Sequence, residues 1–344
     1  MKATLFCNLP YAFSMLKPLA EELEKRNIEY IWYIPKEIVS LFDEGDANIT
    51  SDIKEISVFK PDMIFVPGNE VPYSLTGVKV QIFHGLAGEK KDHFRIREYF
   101  DLYLTQGPHF TDRFNSLQKK HQNFKVVECG WPKLDNLFKK DLVLQEQKKI
   151  LLLKAKASHI VLFAPTFSKS LTSAPILKDE LKKLSDDPRY LVIIKFHDKM
   201  DKGVKSEYEK MVSAKLVILD DDDITRSLKL ADIMVSDTSS VVYEFQLLNK
   251  PVITLNNCSN DISWLDIKDK KLLIDSVNKT LFEEDTFKKM RENIIASYHP
   301  YKDGKSAYRM VEATLEFISK HGVPTKRKVS LFRKYKIIKK YGFI

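Results

Sequence analysis

A short apolar run, ATLFC at 3–7, opens the chain, and similar runs recur at 30–34 (YIWYI), 63–66 (MIFV), 80–83 (VQIF), 102–105 (LYLT) and 126–129 (VVEC). Helical spacing of apolar positions fills the intervals between them. Strand-length runs rich in β-branched and aromatic residues, alternating with helices, predict a parallel sheet covered by helices. A second series follows at 159–164 (HIVLFA), 190–196 (YLVIIKF), 216–219 (LVIL), 231–236 (ADIMVS), 251–255 (PVITL) and 271–274 (KLLI). Two similar α/β halves are implied, and 344 residues suit two domains better than one core. The Lys-, Leu- and Gln-rich stretch 134–158 predicts a helix and a connection. The boundary falls near residue 150, giving domains at 1–150 and 151–322 and a separate segment at 323–344.

Open α/β sheets bind ligands at the carboxyl ends of their strands, and here those ends are polar. VQIF runs into His84-Gly85-Leu86-Ala87-Gly88, FA into Pro165-Thr166, VIIKF into His197-Asp198, and IMV into Ser236-Asp237-Thr238-Ser239-Ser240. Four such junctions across two domains suggest one site in the cleft between them.

A single Ser, Thr or Asp suffices to cap the helix VVYEFQLL that follows residue 240. The surplus hydroxyls, with the positive end of a helix, suit a phosphate held against Ser239 and Ser240. Asp237 would repel a phosphate that it faced, so it fits better as a brace for the turn or for a neighbouring cation. Glu244, one turn further on, reads equally as a ribose ligand or a solvated carboxylate. His84 leaves a strand directly into a loop with Gly85 and Gly88, which permits close backbone approach. It is a candidate general base, with a structural hydrogen-bonded histidine as the alternative. Lys195 and His197 share a face at another strand end and suit a pyrophosphate, unless Asp198 merely pairs with Lys199 at the surface. The acidic run 220–223 reads as a helix-capping loop rather than a metal-binding site.

Composition narrows the chemistry further. Cys7, Cys129 and Cys258 lie far apart, with no spacing that would hold zinc. HExxH, EF-hand, GxSxG, P-loop and GxGxxG patterns are all missing, so zinc hydrolysis, ATPase action and classical dinucleotide binding lose support. No cofactor or metal is expected. MKATLFCNLPYAF reads as a first strand rather than a signal peptide, and no apolar run is long enough to span a bilayer. The expected location is the cytoplasm.

The net charge of +9 is concentrated at one end: the last twenty residues carry eight Lys or Arg and no Asp or Glu. On a helical wheel Leu331, Phe332, Tyr335 and Ile338 fall opposite Arg333, Lys336 and Lys340. Such a segment suits an anionic membrane surface, contacted through 326–344, better than nucleic acid.

In order, HGLAGEK, CGWPKLDNLF, LFAPTF, IIKFH, ADIMVSDTSSVVYEFQLLNKPVI and YHPYKDGKSAYR resemble the CDP-glycerol glycerophosphotransferase family of teichoic acid primases and polymerases, over roughly residues 60–315. The family's Asp-aromatic-Ser-Ser signature is similar to Asp237-Thr238-Ser239-Ser240, followed by Tyr243-Glu244 and Lys250-Pro251; Asp303-Gly304-Lys305 is similar to its closing motif. Thr238 stands where the family commonly has tyrosine. Ser168 and Lys169 follow Phe167 where it has arginine, and Leu86-Ala87-Gly88 follows His84-Gly85 where it often has Thr-Pro-Leu.

The resemblance implies a GT-B architecture: two Rossmann-like domains, with the acceptor bound by the first and the nucleotide donor by the second, without a metal. By matching position His84 would deprotonate the acceptor hydroxyl. His197, Ser239 and Ser240 would contact the donor phosphates, with Lys195, Thr166, Asp237, Thr238 and Glu244 completing the donor site. The implied reaction moves glycerol phosphate, or a related polyol phosphate, from a CDP-linked donor to a lipid-linked or capsular glycan, releasing CMP. The expected enzyme is cytoplasmic and peripheral on the inner face of the membrane. A GT-B glycosyltransferase or epimerase using a nucleotide sugar, and a non-catalytic nucleotide-sugar or membrane-docking module, remain as alternatives.

Overall fold

The first series of apolar runs forms a seven-stranded sheet in the computed structural model, with spatial order β3-β2-β1-β4-β5-β6-β7. Its strands are β1 (Lys2–Phe6), β2 (Glu29–Tyr33), β3 (Ile49–Thr50), β4 (Met63–Val66), β5 (Val78–Gln81), β6 (Leu102–Thr105) and β7 (Lys125–Glu128). The second series forms a six-stranded sheet of order β10-β9-β8-β11-β12-β13. Its strands are β8 (His159–Phe163), β9 (Tyr190–Ile194), β10 (Leu216–Ile218), β11 (Ile233–Ser236), β12 (Val252–Leu255) and β13 (Leu265–Ile267). All neighbouring strands in both sheets pair in parallel. The structure describes all residues except 44, 46, 87–90, 220–223, 260, 261, 343 and 344, and the side chains of 91 and 92.

Burial accounts for the parallel arrangement. Strands β4, β5, β6, β9 and β12 are buried at every position, so both faces are covered and alternation is lost. Both sheets follow the Rossmann order, in which the chain starts at the centre, runs to one edge, and returns to fill the other side. The order reverses between β1 and β4 in one sheet and between β8 and β11 in the other. At such a reversal the connections diverge and leave a crevice at the strand carboxyl ends.

One expected strand is a helix. KLLI at 271–274 begins where the Asp269 carboxylate accepts the Lys271 N–H at 2.9 Å, and the chain continues into the helix Leu273–Phe282, which buries Leu273 and Val277. The last strand of that sheet lies upstream instead, at Leu265–Ile267.

The chain divides into two compact units, residues 1–136 with 296–344, and residues 137–295. The expected division at 150 and 322 differs from these. The helix Leu142–Ala155 belongs to the second unit, where Lys148 pairs with Asp232, whose other oxygen accepts the Ile160 N–H of β8 at 2.9 Å. Residues 296–344 return to the first unit, and the hydrogen bonds there give a reason. Asp135 accepts both the Ser306 and Ala307 N–H at 2.8 Å, which caps the helix Ser306–His321 from a distant part of the sequence. The Trp131 N–H donates to His299 Nε2 at 3.0 Å, and Arg309 Nε donates to the Cys129 carbonyl at 2.8 Å. Gly130 lies at φ +88°, and a Cβ there would sit 2.5 Å from Ser306 Oγ. CGWPKLDNLF and HPYKDGKSAYR therefore interlock as a structural clasp.

The basic C-terminal segment docks on the first unit. Arg327 makes a bidentate contact with Asp101 at 2.6 and 2.9 Å and donates to the Gly77 carbonyl. Lys336 and Lys340 flank Glu70 at 2.9 and 2.7 Å. In the helix Leu331–Tyr341, Ile337 is buried in the first core, and the Tyr341 ring meets Phe6 edge-on at 6.0 Å. The cations expected on one side of this helix thus face the protein. Leu331, Phe332 and Tyr335 point outward, 83, 75 and 66% exposed, while Ile338 is half-buried.

Removing the Asp135 carboxylate leaves two buried N–H groups unsatisfied, at about 1–3 kcal/mol each. Asp135→Ala is expected to lower the free energy of unfolding by about 2–6 kcal/mol in a urea titration. Asp52→Ala, which removes an exposed local cap on the Lys54 N–H, should lower it by only about 1 kcal/mol.

Candidate active site

In the second unit, Asp237 follows the last residue of β11, at the point where the strand order reverses. Its carboxylate is fully buried. One oxygen accepts the Thr166 N–H at 2.8 Å; the other accepts the Ser173 N–H and hydroxyl, both at 2.8 Å. The Ser236 hydroxyl adds a bond to the Ala164 carbonyl at 2.6 Å. Together these tie the loop after β8 to the end of β11. Burial pushes the Asp237 carboxyl above the usual carboxylate range, and the three hydrogen bonds counter that shift. Asp237, grouped with the donor ligands on sequence, is fully buried and spends both carboxylate oxygens on the loop after β8, so it acts as a brace for the turn.

The residues that follow are differently placed. Ser239 is half-buried and Ser240 exposed, at the start of the helix Val241–Leu247, and neither hydroxyl makes a hydrogen bond among the described residues. The Thr238 hydroxyl accepts the Cys258 N–H at 3.1 Å, and Asn257 Nδ2 donates to the Asp237 carbonyl at 2.8 Å. Thr238 is thereby turned towards the loop after β12, while the two serines present unused hydroxyls. Glu244 is half-buried in the first turn of the helix.

At the end of β9, Lys195 and His197 diverge. The strand stops at Ile194, so the shared face expected of residues 195 and 197 is lost. Lys195 is 7% exposed, and no acceptor meets its ammonium among the described residues. His197 is exposed, with its ring 4.4 Å from that of Phe167. The Lys199 N–H donates to His197 Nδ1 at 3.1 Å. An N–H can only donate, so the neutral ring carries its proton on Nε2 and offers a donor outward.

In the first unit, His84 stands beyond the end of β5, and β4 ends beside it. Its Nδ1 lies 3.0 Å from the Pro67 carbonyl, which also accepts Gln81 Nε2 at 3.2 Å. A carbonyl can only accept, so Nδ1 carries the proton and Nε2 keeps a basic lone pair. Gln106 Nε2 donates to the Gly85 carbonyl at 2.9 Å and steadies the loop. Phe83, at φ +63°, turns the chain so that its own ring enters the core while His84 leaves it. A non-glycine residue in that region costs about 1–3 kcal/mol. Stacking of Phe83 on His93 at 4.8 Å and packing on Phe114 at 5.0 Å offset it. Burial lowers the His93 pKa to about 4, so His93 is a neutral filler at physiological pH. The Tyr11 ring, from the segment after β1, lies 5.2 Å from that of His84.

Of the expected site residues, Asp237, Thr166, Thr238, Ser239 and Ser240 come together around β8 and β11. Gly88 and the acidic run 220–223 lie outside the described residues. Among the described residues, no group of three or more His, Cys, Asp or Glu side chains converges as a metal site would require. Pro67, Gln106, Ser173 and Asn257 were not anticipated. They act through backbone atoms or reach the site from distant parts of the sequence, so no local motif marks them.

The two Rossmann-order sheets are those of a GT-B architecture. The profile described as CDP-Glycerol:Poly(glycerophosphate) glycerophosphotransferase matches residues 77–257, just over half of the chain, and the chain belongs to that family of enzymes. A teichoic acid poly(glycerol phosphate) polymerase of Bacillus spizizenii is 24% identical over 285 residues, which cover 72% of this chain and 69% of the polymerase. A teichoic acid glycerol-phosphate primase of Bacillus subtilis is 26% identical over 51% of this chain and 49% of its own length. A solved structure of the wall teichoic acid polymerase TagF, a variant soaked with CDPG, superposes with a TM-score of 0.66 at 15% identity. It covers 92% of this chain and 89% of that one.

Replacing Asp237 with asparagine substitutes an amide N–H₂ for one acceptor oxygen. Asp237→Asn is expected to lose about 1–3 kcal/mol of unfolding free energy. Ser239→Ala and Ser240→Ala, which break no internal hydrogen bond, should stay within about 0.5 kcal/mol of wild type. Equal losses in all three variants would contradict the division between brace and contacts.

Proposed function

We propose that the enzyme transfers glycerol phosphate from CDP-glycerol to a hydroxyl of a lipid-linked glycan acceptor, releasing CMP. The observation that carries this reading is the pair of histidines, each held by the backbone in the tautomer its role requires. His84 Nε2, with a free lone pair, takes the proton of the acceptor hydroxyl. The hydroxyl oxygen attacks the β-phosphorus; the new O–P bond forms as the bond from that phosphorus to the bridging oxygen breaks, and CMP departs with the electron pair. The Nε2–H of His197, the Lys195 ammonium and the Ser239 and Ser240 hydroxyls hold the diphosphate and offset its charge. Asp237 keeps the phosphate-binding turn in place without meeting the ligand. Family membership supports the donor class. Thr238 and the loop after β12 stand beside the nucleotide site and bear on its selectivity.

The same reading puts the enzyme on the cytoplasmic face of the membrane, where a lipid-linked acceptor resides. Among the described residues, no helix is long and apolar enough to cross a membrane. Support comes from the helix Leu331–Tyr341, whose cations hold it to the acceptor-side unit while Leu331, Phe332 and Tyr335 face outward. Apolar and aromatic side chains of this kind enter the headgroup region of a bilayer.

CMP release from CDP-glycerol tests the chemistry. His84→Ala should lower kcat by about 10²- to 10⁴-fold with little change in donor affinity, whereas His197→Ala should raise the donor KM. Unchanged turnover in both variants would overturn the assignment. CDP-glycerol should raise Tm more than CDP-ribitol or a UDP-sugar at equal concentration, since protection follows affinity. For the membrane, replacing Leu331, Phe332 and Tyr335 together with serine should abolish sedimentation with anionic vesicles. Deleting the helix would also remove the buried Ile337 and is the less informative variant.

A further inference from the structure

A second cationic site lies in the first unit, apart from His84. A cavity of about 350 Å³ opens where the segment preceding the C-terminal helix crosses the start of β7; Lys125, Lys326, Lys328 and His321 stand around it. It also contains two carboxylates, Glu98 and Asp101, and both are already engaged. Asp101 accepts the Arg327 guanidinium and the Lys79 N–H; Glu98 accepts the Ser330 N–H at 2.9 Å and lies 3.5 Å from Arg333 Nε. Among the described residues, no carboxylate pairs with the ammonium of Lys125, Lys326 or Lys328. Three lysines with no carboxylate partner among the described residues therefore line one concavity, which raises the local concentration of anions.

What adjoins the cavity decides the kind of anion. Three residues after Lys328 the chain reaches Leu331 and Phe332, the two most exposed of the large apolar side chains on this helix, with Tyr335 one turn on. A soluble phosphate has no use for them. A phospholipid uses both, its phosphate among the lysines and its acyl chains against the apolar side chains.

We infer that the Lys125–Lys326–Lys328 cavity is a binding site for the phosphate of an anionic phospholipid headgroup, next to the apolar edge of the C-terminal helix. The inference rests on the peripheral-membrane reading and adds a defined headgroup contact to it. Bound there, the lipid fixes which side of the first unit faces the bilayer. Arg327, buried against Asp101, anchors the segment that bears Lys326 and Lys328 and does not contact the lipid.

Vesicle sedimentation of the full chain tests it, with phosphatidylcholine alone and with phosphatidylcholine mixed with phosphatidylglycerol. Wild type should bind the mixed vesicles and not the neutral ones. Each Lys→Gln change at 125, 326 or 328 should weaken binding about fivefold, and the triple variant about 100-fold. The charge-matched control, with Lys154, Lys156 and Lys210 changed to glutamine, should bind as wild type does. All six lysines are exposed, so circular dichroism should show unchanged folding. If the triple variant binds as wild type does while the Leu331/Phe332/Tyr335→Ser variant fails, the membrane reading stands and the headgroup site is wrong. Equal losses in the triple variant and its control would also overturn the site, as general charge would then explain binding. If wild type binds no vesicle, both ideas fail. Binding of inorganic phosphate in solution that is lost in the triple lysine variant, while that variant still binds mixed vesicles as wild type does, would reassign the cavity to free phosphate.

Discussion

The Asp237 carboxylate accepts three hydrogen bonds, from the Thr166 N–H and from the N–H and hydroxyl of Ser173. Both donors belong to the loop that leaves β8, while Asp237 leaves β11, the neighbouring strand across the reversal of strand order. Crevices form at such a reversal because the connections diverge, and a divergent loop has few backbone partners of its own. A buried carboxylate supplies them. It carries a desolvation cost, seen in the upward shift of its pKa, and satisfied hydrogen bonds offset that cost. Ser239, Ser240 and the start of their helix are positioned by this arrangement, so the candidate phosphate site depends on a carboxylate that is itself fully buried.

Backbone groups do the corresponding work for the two histidines. The Pro67 carbonyl and the Lys199 N–H select opposite tautomers of His84 and His197. The same side chain thus becomes a proton acceptor in one unit and a hydrogen-bond donor in the other, with no charged neighbour needed to set the difference. Gln81 shares the Pro67 carbonyl and Gln106 holds Gly85, so the loop after β5 is fixed from two sides.

Much of this architecture was legible in the chain because buried parallel strands write their own signal. Runs such as MIFV and LVII cannot be exposed, and polar residues at their carboxyl ends mark the ligand edge. Ile49–Thr50 and Leu265–Ile267 were too short and too mixed to stand out, and KLLI misled because apolar content without periodicity does not distinguish strand from helix. The division at residue 150 missed that the chain returns: Asp135 and Ser306 are far apart in sequence, and no local pattern announces their bond. The Asp237 brace was one of two readings open on sequence, and buried hydrogen-bond partners identify it. Neither tautomer was legible, since each depends on the direction of a single backbone group. The C-terminal helix was read with the right faces, yet its cations hold the protein and its apolar side chains lie outward.

The claim on which the mechanism turns is the opposite protonation of the two rings. Nitrogen-15 NMR of the histidine-labelled enzyme, with signals assigned from His84→Gln and His197→Gln, reads it directly. The account predicts that the neutral His84 ring is protonated on Nδ1 and the neutral His197 ring on Nε2. Finding both rings in the same tautomer, or the two exchanged, would contradict it.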